Sequence, residues 1–142
     1  MQRQQDSLGS LLVDITRMMR RAFQQRMEGR GLTLAQARVL VYVDRQAGMR
    51  QIELADLLEV QPITLARLVD QLVEMGLVER RADPSDRRAH RIHLTAAARP
   101  HLQAIEEVMA SLRADAMRGL DRKQAAALLD SLRLMRGNLA AL

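Results

Sequence analysis

Hydrophobic residues recur every three or four positions near the start of the chain. This spacing places them on one face of a predicted helix from Leu8 to Met27. The members of the stripe are Leu8, Leu11, Ile15, Met18 and Ala22. Thr33, with Gln36 three residues later, has the pattern of a capping box, in which each side chain accepts from the backbone N–H of the other residue. The sequence therefore predicts a second helix from this cap through about Arg45.

Two shorter helices follow, joined by a short turn. Apolar residues on one face predict the first from about Arg50 to Leu58. Pro62 suits the first position of the second, because its missing N–H would be unpaired there in any case. Gly76 ends that helix. Two helices joined by the residues Glu59-Val60-Gln61 match a helix-turn-helix.

The hydrophobic period then changes from that of a helix to that of a strand. Leu77 to Ala82 and His90 to Leu94 are predicted strands, and the polar residues from Asp83 to Ala89 form the predicted loop between them. Five arginines lie in or beside this hairpin: Arg80, Arg81, Arg87, Arg88 and Arg91. A helix-turn-helix followed by a basic hairpin indicates a winged helix. The predicted fold is therefore mainly α with a small β-hairpin wing.

The last part of the chain predicts two more helices. Thr95 is the expected N-cap of the first, and Pro100 implies a kink or a later start, because proline removes a backbone donor. Asp121 with Gln124 has the capping-box pattern and opens the second. This last helix carries an apolar stripe formed by Leu128, Leu132, Met135, Leu139 and Leu142. One small domain cannot easily bury stripes at both ends, so we expect them to pack against a second copy of the chain.

Composition and charge exclude some classes of function and favour others. Hydrophobic residues make up 48% of the chain but aromatic residues only 1%, which favours helices over a β-sandwich. The net charge of +5 favours an anionic partner, nucleic acid first. The absence of cysteine excludes disulfides, cysteine-based zinc sites and a thiol redox sensor. No apolar run approaches the ~18 residues that span a bilayer, so we expect a cytoplasmic protein with no membrane partner.

The sequence contains no recognisable catalytic motif. No glycine-rich phosphate loop, nucleophile elbow or Cys/His pair is present. His90 and His93 lie three positions apart on a predicted strand, hence on opposite faces, which is poor geometry for zinc. We therefore expect neither catalysis nor a metal or other cofactor.

The second of the two short helices has a buried face and an opposite, solvent-facing side. Ile63, Arg67 and Gln71 fall on the solvent-facing side. Arg67 stands where a recognition helix presents side chains to base edges, and its planar fork matches guanine O6 and N7. Ile63 is apolar on a polar face, which contact with a thymine methyl would explain. The alternative for Arg67 is a surface arginine, either solvated or paired with Asp70 or Glu74.

The basic hairpin has two interpretations. An arginine at its tip, Arg87 or Arg88, suits the narrow, electronegative minor groove of DNA. Asp86 beside them can hold one guanidinium in place while another projects. The alternative is an exposed charged hairpin without a partner. Because the hairpin directly follows a helix-turn-helix, we favour contact with the groove.

Several segments, in one order along the chain, resemble the winged-helix signature of the MarR family. They are Ile52-Glu53-Leu54-Ala55, Arg67-Leu68-Val69-Asp70-Gln71-Leu72, Gly76-Leu77-Val78-Glu79-Arg80, Asp86-Arg87-Arg88-Ala89 and Leu94-Thr95. The start at Leu8-Gly9-Ser10 and the sequence of the wing are similar to the SlyA branch in particular. The resemblance covers nearly the whole chain.

The resemblance implies a single MarR-type domain over residues 1–142. Residues of about 7–30 and 96–142 would form dimerisation helices that interleave in a homodimer, and residues of about 33–94 the DNA-binding winged helix. Two recognition helices would enter successive major grooves of a pseudo-palindromic promoter site in double-stranded DNA. The implied major-groove residues are Arg67, Ile63, Thr64 and Gln71, those at the DNA backbone are Gln61 and Pro62, and those of the wing are Asp86, which orients it, and Arg87 and Arg88.

The resemblance also implies an effector, a small aromatic carboxylate that releases the protein from DNA. Arg17 and Arg20 of the first helix match positions that face such a pocket. Ala37 and Val41 match its wall on the second helix, and Ala37 replaces a bulky aromatic residue of the SlyA branch. The alternative is that the two arginines are plain surface or dimer-interface charges.

We therefore expect a transcription regulator, acting as a repressor or as a countersilencing activator. One alternative is a protein-interaction or antirepressor module that has kept the fold and lost DNA binding. A second alternative is an enzyme that binds a small molecule.

Two residues depart from the pattern of the family. Glu59 stands where the family often has glycine, and a residue other than glycine at positive φ is strained. Arg50 replaces the usual small polar cap of the helix that it precedes. Both changes affect the expected stability of the helix-turn-helix rather than the expected fold.

Overall fold

The computed structural model describes residues 6–142, which form α-helices and one small sheet. The elements are α1 (Leu8–Met27), α2 (Leu34–Arg45), β1 (Met49–Arg50), α3 (Gln51–Leu58), α4 (Pro62–Glu74), β2 (Val78–Asp83), β3 (Asp86–Leu94), a 3-10 helix (Ala96–Ala98), α5 (Arg99–Ala116) and α6 (Arg122–Ala140). This confirms the prediction of a mainly helical winged helix-turn-helix.

Local capping fixes where the helices begin. Thr33 and Gln36 form the predicted capping box at the start of α2, and Asp121 and Gln124 form the other at the start of α6. A third box, between Ser7 and Ser10, opens α1. Sequence reasoning missed it because serine takes the place of the usual Glu or Gln three residues after the cap.

The sheet has three antiparallel strands in the order β1-β3-β2. Strand β1 has only two residues and was not predicted; Met49 pairs with Ile92 of β3. The predicted loop from Asp83 to Ala89 is wrong. The chain reverses over Pro84-Ser85, so that Asp86, Arg87 and Arg88 belong to β3 rather than to a loop.

The tight reversal has a local cause. The buried side chain of Asp83 accepts from the backbone N–H of Ser85 at 2.8 Å, which is the hydrogen bond of an Asx turn. The pairing of the two strands also shifts register between Ala82 and Asp83. The tip of the wing is therefore a closed and irregular hairpin instead of a long loop.

The core of the winged helix is aliphatic. Leu40 of α2, Leu54 of α3, Leu65 and Leu72 of α4 and Ile92 of β3 are fully buried. The apolar side chains of α4 recur at helical spacing and therefore lie on one face of the helix. Helices α2 and α3 cover this face. The opposite face of α4 is left to solvent.

The start of α5 differs from the expectation in one respect. The Thr95 side chain caps no helix; its hydroxyl donates to the Gly76 carbonyl oxygen at 2.5 Å. A 3-10 helix follows, and α5 begins only at Arg99. Pro100 therefore lies in the first turn, where its missing N–H leaves no hydrogen bond unmade. The predicted later start of this helix is confirmed.

The turn of the helix-turn-helix contains a left-handed residue. Glu59 has φ 53° and is the C-cap of α3, and its N–H donates to the Asp56 carbonyl oxygen at 3.1 Å. A residue with a Cβ atom is strained in this conformation, as the sequence predicted. Arg50, the N-cap of α3, makes no side-chain capping bond.

The described chain divides within α5 into two compact units, one through Met109 and one of Ala110–Leu142. In the second unit, α6 buries no residue. In the first unit, α1 buries only Phe23 and Met27, and most of its apolar stripe is exposed. The assignment of the whole chain, residues 1–142, to one domain stays a prediction.

Candidate nucleic-acid interface

The exposed face of α4 brings together the residues predicted to lie in a major groove. Ile63, Thr64, Arg67 and Gln71 are all exposed, and the side chain of Ile63 is 65% exposed despite being apolar. Pro62 occupies the first helical position, as predicted. These side chains share one face because positions one turn apart point in the same direction.

Arg67 is free to take a partner from outside the chain. Its guanidinium makes no hydrogen bond or ion pair with any of residues 6–142. The alternative partner on the same face, Asp70, instead accepts from Arg80 Nη2, with 2.6 Å between Oδ1 and Nη2. The neighbouring carboxylate of Asp70 is therefore occupied, and Arg67 has no ion-pair partner within the described chain.

Arg80 ties the wing to both helices of the helix-turn-helix. Besides the ion pair with Asp70, its Nε donates to Gln51 Oε1 at 3.0 Å and its Nη2 donates to the Ala66 carbonyl oxygen at 3.2 Å. From the sequence, Arg80 was grouped with the arginines of the basic hairpin. The structure gives it three partners within the protein, and these fix the orientation of α4 relative to β2.

A second polar cluster lies at the base of the wing tip. The fully buried side chain of Asp83 pairs with Arg50 Nε at 2.8 Å and with Arg91 Nε at 3.1 Å. The Ser85 hydroxyl donates to the same carboxylate at 2.7 Å. The hydrogen bonds from Ser85 and the charge of Arg50 hold the pKa of Asp83 well below its usual value, against the opposing effect of burial.

This cluster was missed from the sequence. Arg50 precedes Asp83 by 33 positions, and nothing local shows that the two meet. The available signal was the Asp-Pro-Ser sequence, in which an aspartate commonly accepts from the N–H two residues later. The side chain of Arg50 thus leaves α3 uncapped and instead pairs with a buried carboxylate.

The arginines of the wing fall into two groups. Arg80 and Arg91 are held as described, and Arg81 Nε donates to Glu79 Oε1 at 2.7 Å. Arg87 and Arg88 are exposed, and their guanidinium groups have no hydrogen bond or ion pair within the described part of the chain. The second group can therefore bind a phosphate or enter a groove without first breaking an ion pair.

Asp86 differs from its expected role in detail. It accepts from the backbone N–H of Arg88 at 2.9 Å and so shapes the strand, whereas the prediction had it holding a guanidinium. The carboxylate of the wing that holds two guanidinium groups is the buried Asp83.

A groove of about 280 Å³ separates the wing from the starts of α3 and α4. Its wall includes Pro62, Asp86 and Arg88. Gln61, the N-cap of α4, is exposed and makes no side-chain capping bond. The first turn of α4 therefore has no side-chain cap for its backbone N–H groups, an arrangement that favours an anion at the start of the helix.

The predicted effector pocket is only partly assembled. Arg17 and Arg20 line an open groove of about 640 Å³ on α1, together with Leu34 of α2. Arg17 also pairs with Asp14 at 3.2 Å. Ala37 is buried at 2% exposure, Val41 is half-buried, and neither lines this groove.

The predicted dimer stripe of α6 is an uncovered row of side chains. Leu128 and Leu139 are exposed, and Leu132 and Met135 are half-buried. Leu142 was predicted to continue the stripe, but it is exposed beyond the end of α6 at Ala140, because the helix is capped at Ala141.

Two other kinds of feature are absent from residues 6–142. That part of the chain holds no group of three or more His, Asp or Glu side chains placed to bind a metal ion. None of its helices is both long enough and apolar enough to cross a membrane.

Comparison with known proteins shows which proteins this chain is similar to. Residues 32–90 match the model of the MarR family. A MarR transcriptional regulator from Methanosarcina mazei Go1 is 25% identical with a TM-score of 0.86, over 95% of this chain and 98% of that one. The transcriptional regulator SlyA is 26% identical with a TM-score of 0.81, over 96% of both chains.

A third solved structure contains nucleic acid. It is a mutant MarR from E. coli complexed with operator DNA, 26% identical with a TM-score of 0.75, over 90% of this chain and 92% of that one. The matched region coincides with the winged helix, and the shared fold extends over nearly the whole chain. The winged helix of this protein is therefore similar to the MarR family, and its fold is similar to those of solved MarR-type transcription regulators.

Proposed function

We propose that this protein regulates transcription by binding a pseudo-palindromic promoter site in double-stranded DNA as a homodimer. The observation that carries the proposal is the unpartnered guanidinium of Arg67 on the exposed face of α4. Its nearest acidic neighbour on that face, Asp70, is held by Arg80. An arginine kept free in this way suits bidentate contact with guanine.

The DNA-contacting residues divide into two roles. On α4, Arg67 reads guanine, the exposed Ile63 meets a thymine methyl, and Thr64 and Gln71 lie beside them. At the start of the helix, Gln61 and Pro62 approach the phosphates.

The wing serves the second role. Asp86 shapes the strand that carries Arg87 and Arg88, and one of these free arginines enters the minor groove. Contacts of this kind position the protein on the duplex and carry less sequence information than contacts in the major groove.

The homodimer is supported by apolar surface that the single chain leaves uncovered. The stripe of α6, from Leu128 to Leu142, is exposed or half-buried, and most of the stripe of α1 is exposed. Soluble chains rarely leave such stripes in contact with water. We propose that the terminal helices of two copies interleave and cover them, which places two recognition helices on one face of the duplex.

Within the family we place the protein in the SlyA-like branch, as a repressor or a countersilencing activator. The support is the similarity of the wing sequence Asp86-Arg87-Arg88-Ala89 and of the start at Leu8-Gly9-Ser10. A reporter fused to the selected promoter, with and without the protein, gives the sign of regulation.

The effector proposal rests on Arg17 and Arg20. They are two cations on one open groove with apolar neighbours, which suits a small aromatic carboxylate. Such a ligand would release DNA by favouring a dimer whose recognition helices are wrongly spaced. We expect isothermal titration to show binding of salicylate at millimolar concentration, and Arg20→Ala to weaken it. No heat of binding from any aromatic acid at that concentration would end this proposal.

Selection of bound sequences from random duplex DNA tests the function as a whole. We expect two inverted half-sites whose centres lie about 10 bp apart, with affinity that falls as salt rises. The Arg67→Ala variant is the control, because it removes base reading and leaves the wing intact. Failure of the folded protein to retain any DNA at low salt would favour the protein-interaction module instead.

A further inference from the structure

One buried glutamine links the start of α2 to the recognition helix. The backbone N–H of Thr33 donates to Gln36 Oε1 at 3.0 Å, and the backbone N–H of Gln36 donates to Thr33 Oγ1 at 3.1 Å. A backbone N–H can only donate, so the amide of Gln36 must turn its oxygen toward Thr33. The orientation of this amide is therefore set by the capping box.

That orientation dictates the orientation of a second amide. Gln36, only 9% exposed, donates through Nε2 to Gln71 Oε1 at 2.9 Å. The NH₂ group of Gln71 makes no hydrogen bond to any residue in the described chain. Gln71 is exposed and lies one helical turn beyond Arg67 on the same face of α4. It thus offers donors outward, while its oxygen points back to Gln36.

The polarity of an amide decides which base edge it can read. Free glutamine reads adenine with both ends, accepting from N6 and donating to N7. The oxygen of Gln71 is turned toward Gln36, so the amide presents the donor half of that contact outward. Guanine presents two acceptors and thymine presents one, whereas cytosine presents only a donor in the major groove.

We infer that Gln36, without touching DNA, determines the base specificity of Gln71. It orients Gln71 as a hydrogen-bond donor, which selects guanine or thymine over cytosine. In this orientation Gln71 cannot make both of the hydrogen bonds by which glutamine reads adenine. The inference rests on the proposed DNA binding and names the specificity of one position in that site. Gln36 is a positioning residue, and Gln71 is the residue that reads the base.

A single substitution should invert this polarity. Gln36→Glu keeps the capping box, because glutamate is the other residue that commonly takes this position, and a carboxylate is favoured at a helix N-terminus. A carboxylate only accepts, so it still binds the N–H of Thr33. Gln71 must then turn to donate its NH₂ to the new carboxylate, which leaves its oxygen facing outward as an acceptor.

The test is selection from random duplex DNA with the full-length wild type and Gln36→Glu, followed by titration of single-base variants of the selected site. At one symmetric base pair, we expect the preference to move from guanine or thymine to cytosine or adenine. The expected change is about fivefold per half-site, the lower end for one base contact. The preference at the position read by Arg67 should not change.

Two further variants keep the test decisive. Gln71→Met preserves the length of the side chain and removes the amide, so discrimination at that base pair should vanish. Gln36→Met preserves the bond from the backbone N–H of residue 36 to Thr33 Oγ1. It frees the amide of Gln71 to rotate, so the base preference at that position should become weaker. The Gln36→Met result stands in if Gln36→Glu does not fold, as judged by circular dichroism and thermal unfolding.

The inference and the proposed function fail in different ways. Unchanged preference in a folded Gln36→Glu or Gln36→Met protein that still binds DNA would overturn the inference alone. Retention of the wild-type preference by Gln71→Met would do the same, because Gln71 would then read no base. A wild-type protein that retains no DNA would overturn the proposed function and the inference with it.

Discussion

The winged helix and the terminal helix α6 are stabilised in different ways. In the winged helix, polar side chains join positions far apart in sequence: Gln36 to Gln71, Arg80 to Asp70 and Arg50 to Asp83. In α6 and at the end of α5, the ion pairs join residues three apart and are exposed, as in Arg133 with Asp130 and Arg118 with Asp115.

The difference shows which region buries its apolar side chains within the single chain. The winged helix has a closed aliphatic core, and the described chain has no buried side-chain N or O atom without a hydrogen-bond partner. Helix α6 buries no side chain, and its exposed pairs add only a few tenths of a kcal/mol each. A helix so weakly held by its own contacts depends on burying its apolar stripe elsewhere.

The largest expected effect comes from placing a charge in the apolar stripe of α6. We expect Leu132→Asp to abolish the proposed dimer, because an unpaired buried charge costs several kcal/mol. Sedimentation velocity should show a monomeric or unfolded protein. The matched control is Leu134→Asp, the same change at a 67%-exposed position on another face of the helix, which should stay dimeric. A well-folded Leu132→Asp dimer of unchanged affinity would remove α6 from the interface.

Equal substitutions in the two regions should have unequal effects on stability. Asp83→Asn keeps the side-chain size but sets an amide against two arginine donors in a buried site. Asp130→Asn removes only an exposed pair, worth about 0.5 kcal/mol or less. Urea unfolding should show a several-fold larger decrease in the free energy of unfolding for Asp83→Asn. Equal decreases would mean that the buried cluster adds nothing to the wing.

The same carboxylate makes stability depend on pH in a predictable direction. The pKa of Asp83 in the folded protein is lowered, so its ionised form stabilises the fold above the ordinary value of ~3.9 for an unfolded chain. This contribution is lost as pH falls below that value. Urea midpoints at pH 7, 5 and 3 should therefore fall less steeply for Asp83→Asn than for the wild type.

The free arginine of α4 should matter for base preference and not for folding. Arg67→Ala should cost ~1–3 kcal/mol of binding per half-site and relax the preference at one symmetric base pair. Arg133→Ala removes the same charge from α6 and should leave that preference intact. Titration of the selected site and its single-base variants measures both. Intact preference in Arg67→Ala would refute the role in base reading.

The smallest expected effect separates free from held arginines within the wing. Arg87→Ala should weaken binding to all sequences and lower the salt dependence, by a slope of about 0.9 for each phosphate that the protein no longer neutralises. Arg81→Ala removes an arginine already paired with Glu79 and should change the slope less. Binding at several salt concentrations gives the slopes. A larger change for Arg81→Ala would contradict the division of the wing arginines.

The sequence predicted what depends on neighbouring residues. The boxes at Thr33 and Asp121 and the helical stripes are local patterns, so the helices began close to where they were expected. Strand β1 was missed because two residues form no pattern of their own and become a strand only by pairing with β3. The wing loop was predicted too long because the hydrogen bond from Ser85 to Asp83 tightens the turn.

The candidate site followed the same rule. Arg67 could be found because one face of one helix places it. The partners of Arg50, Arg80 and Gln36 could not be predicted, since they lie in other elements of the fold. A single sequence shows which side chains face solvent more readily than which of them are already engaged.

If the stripe of α6 is covered only in the proposed dimer, the lifetime of the protein depends on its concentration. In the proposed dimer, dissociation exposes Leu128 to Leu142 on both chains, so mass action makes thermal unfolding occur at a higher temperature when the protein is more concentrated. Dilute protomers spend more time open to proteases. When synthesis stops, degradation of the regulator should then accelerate as its level falls, and its control of a promoter would end abruptly instead of fading.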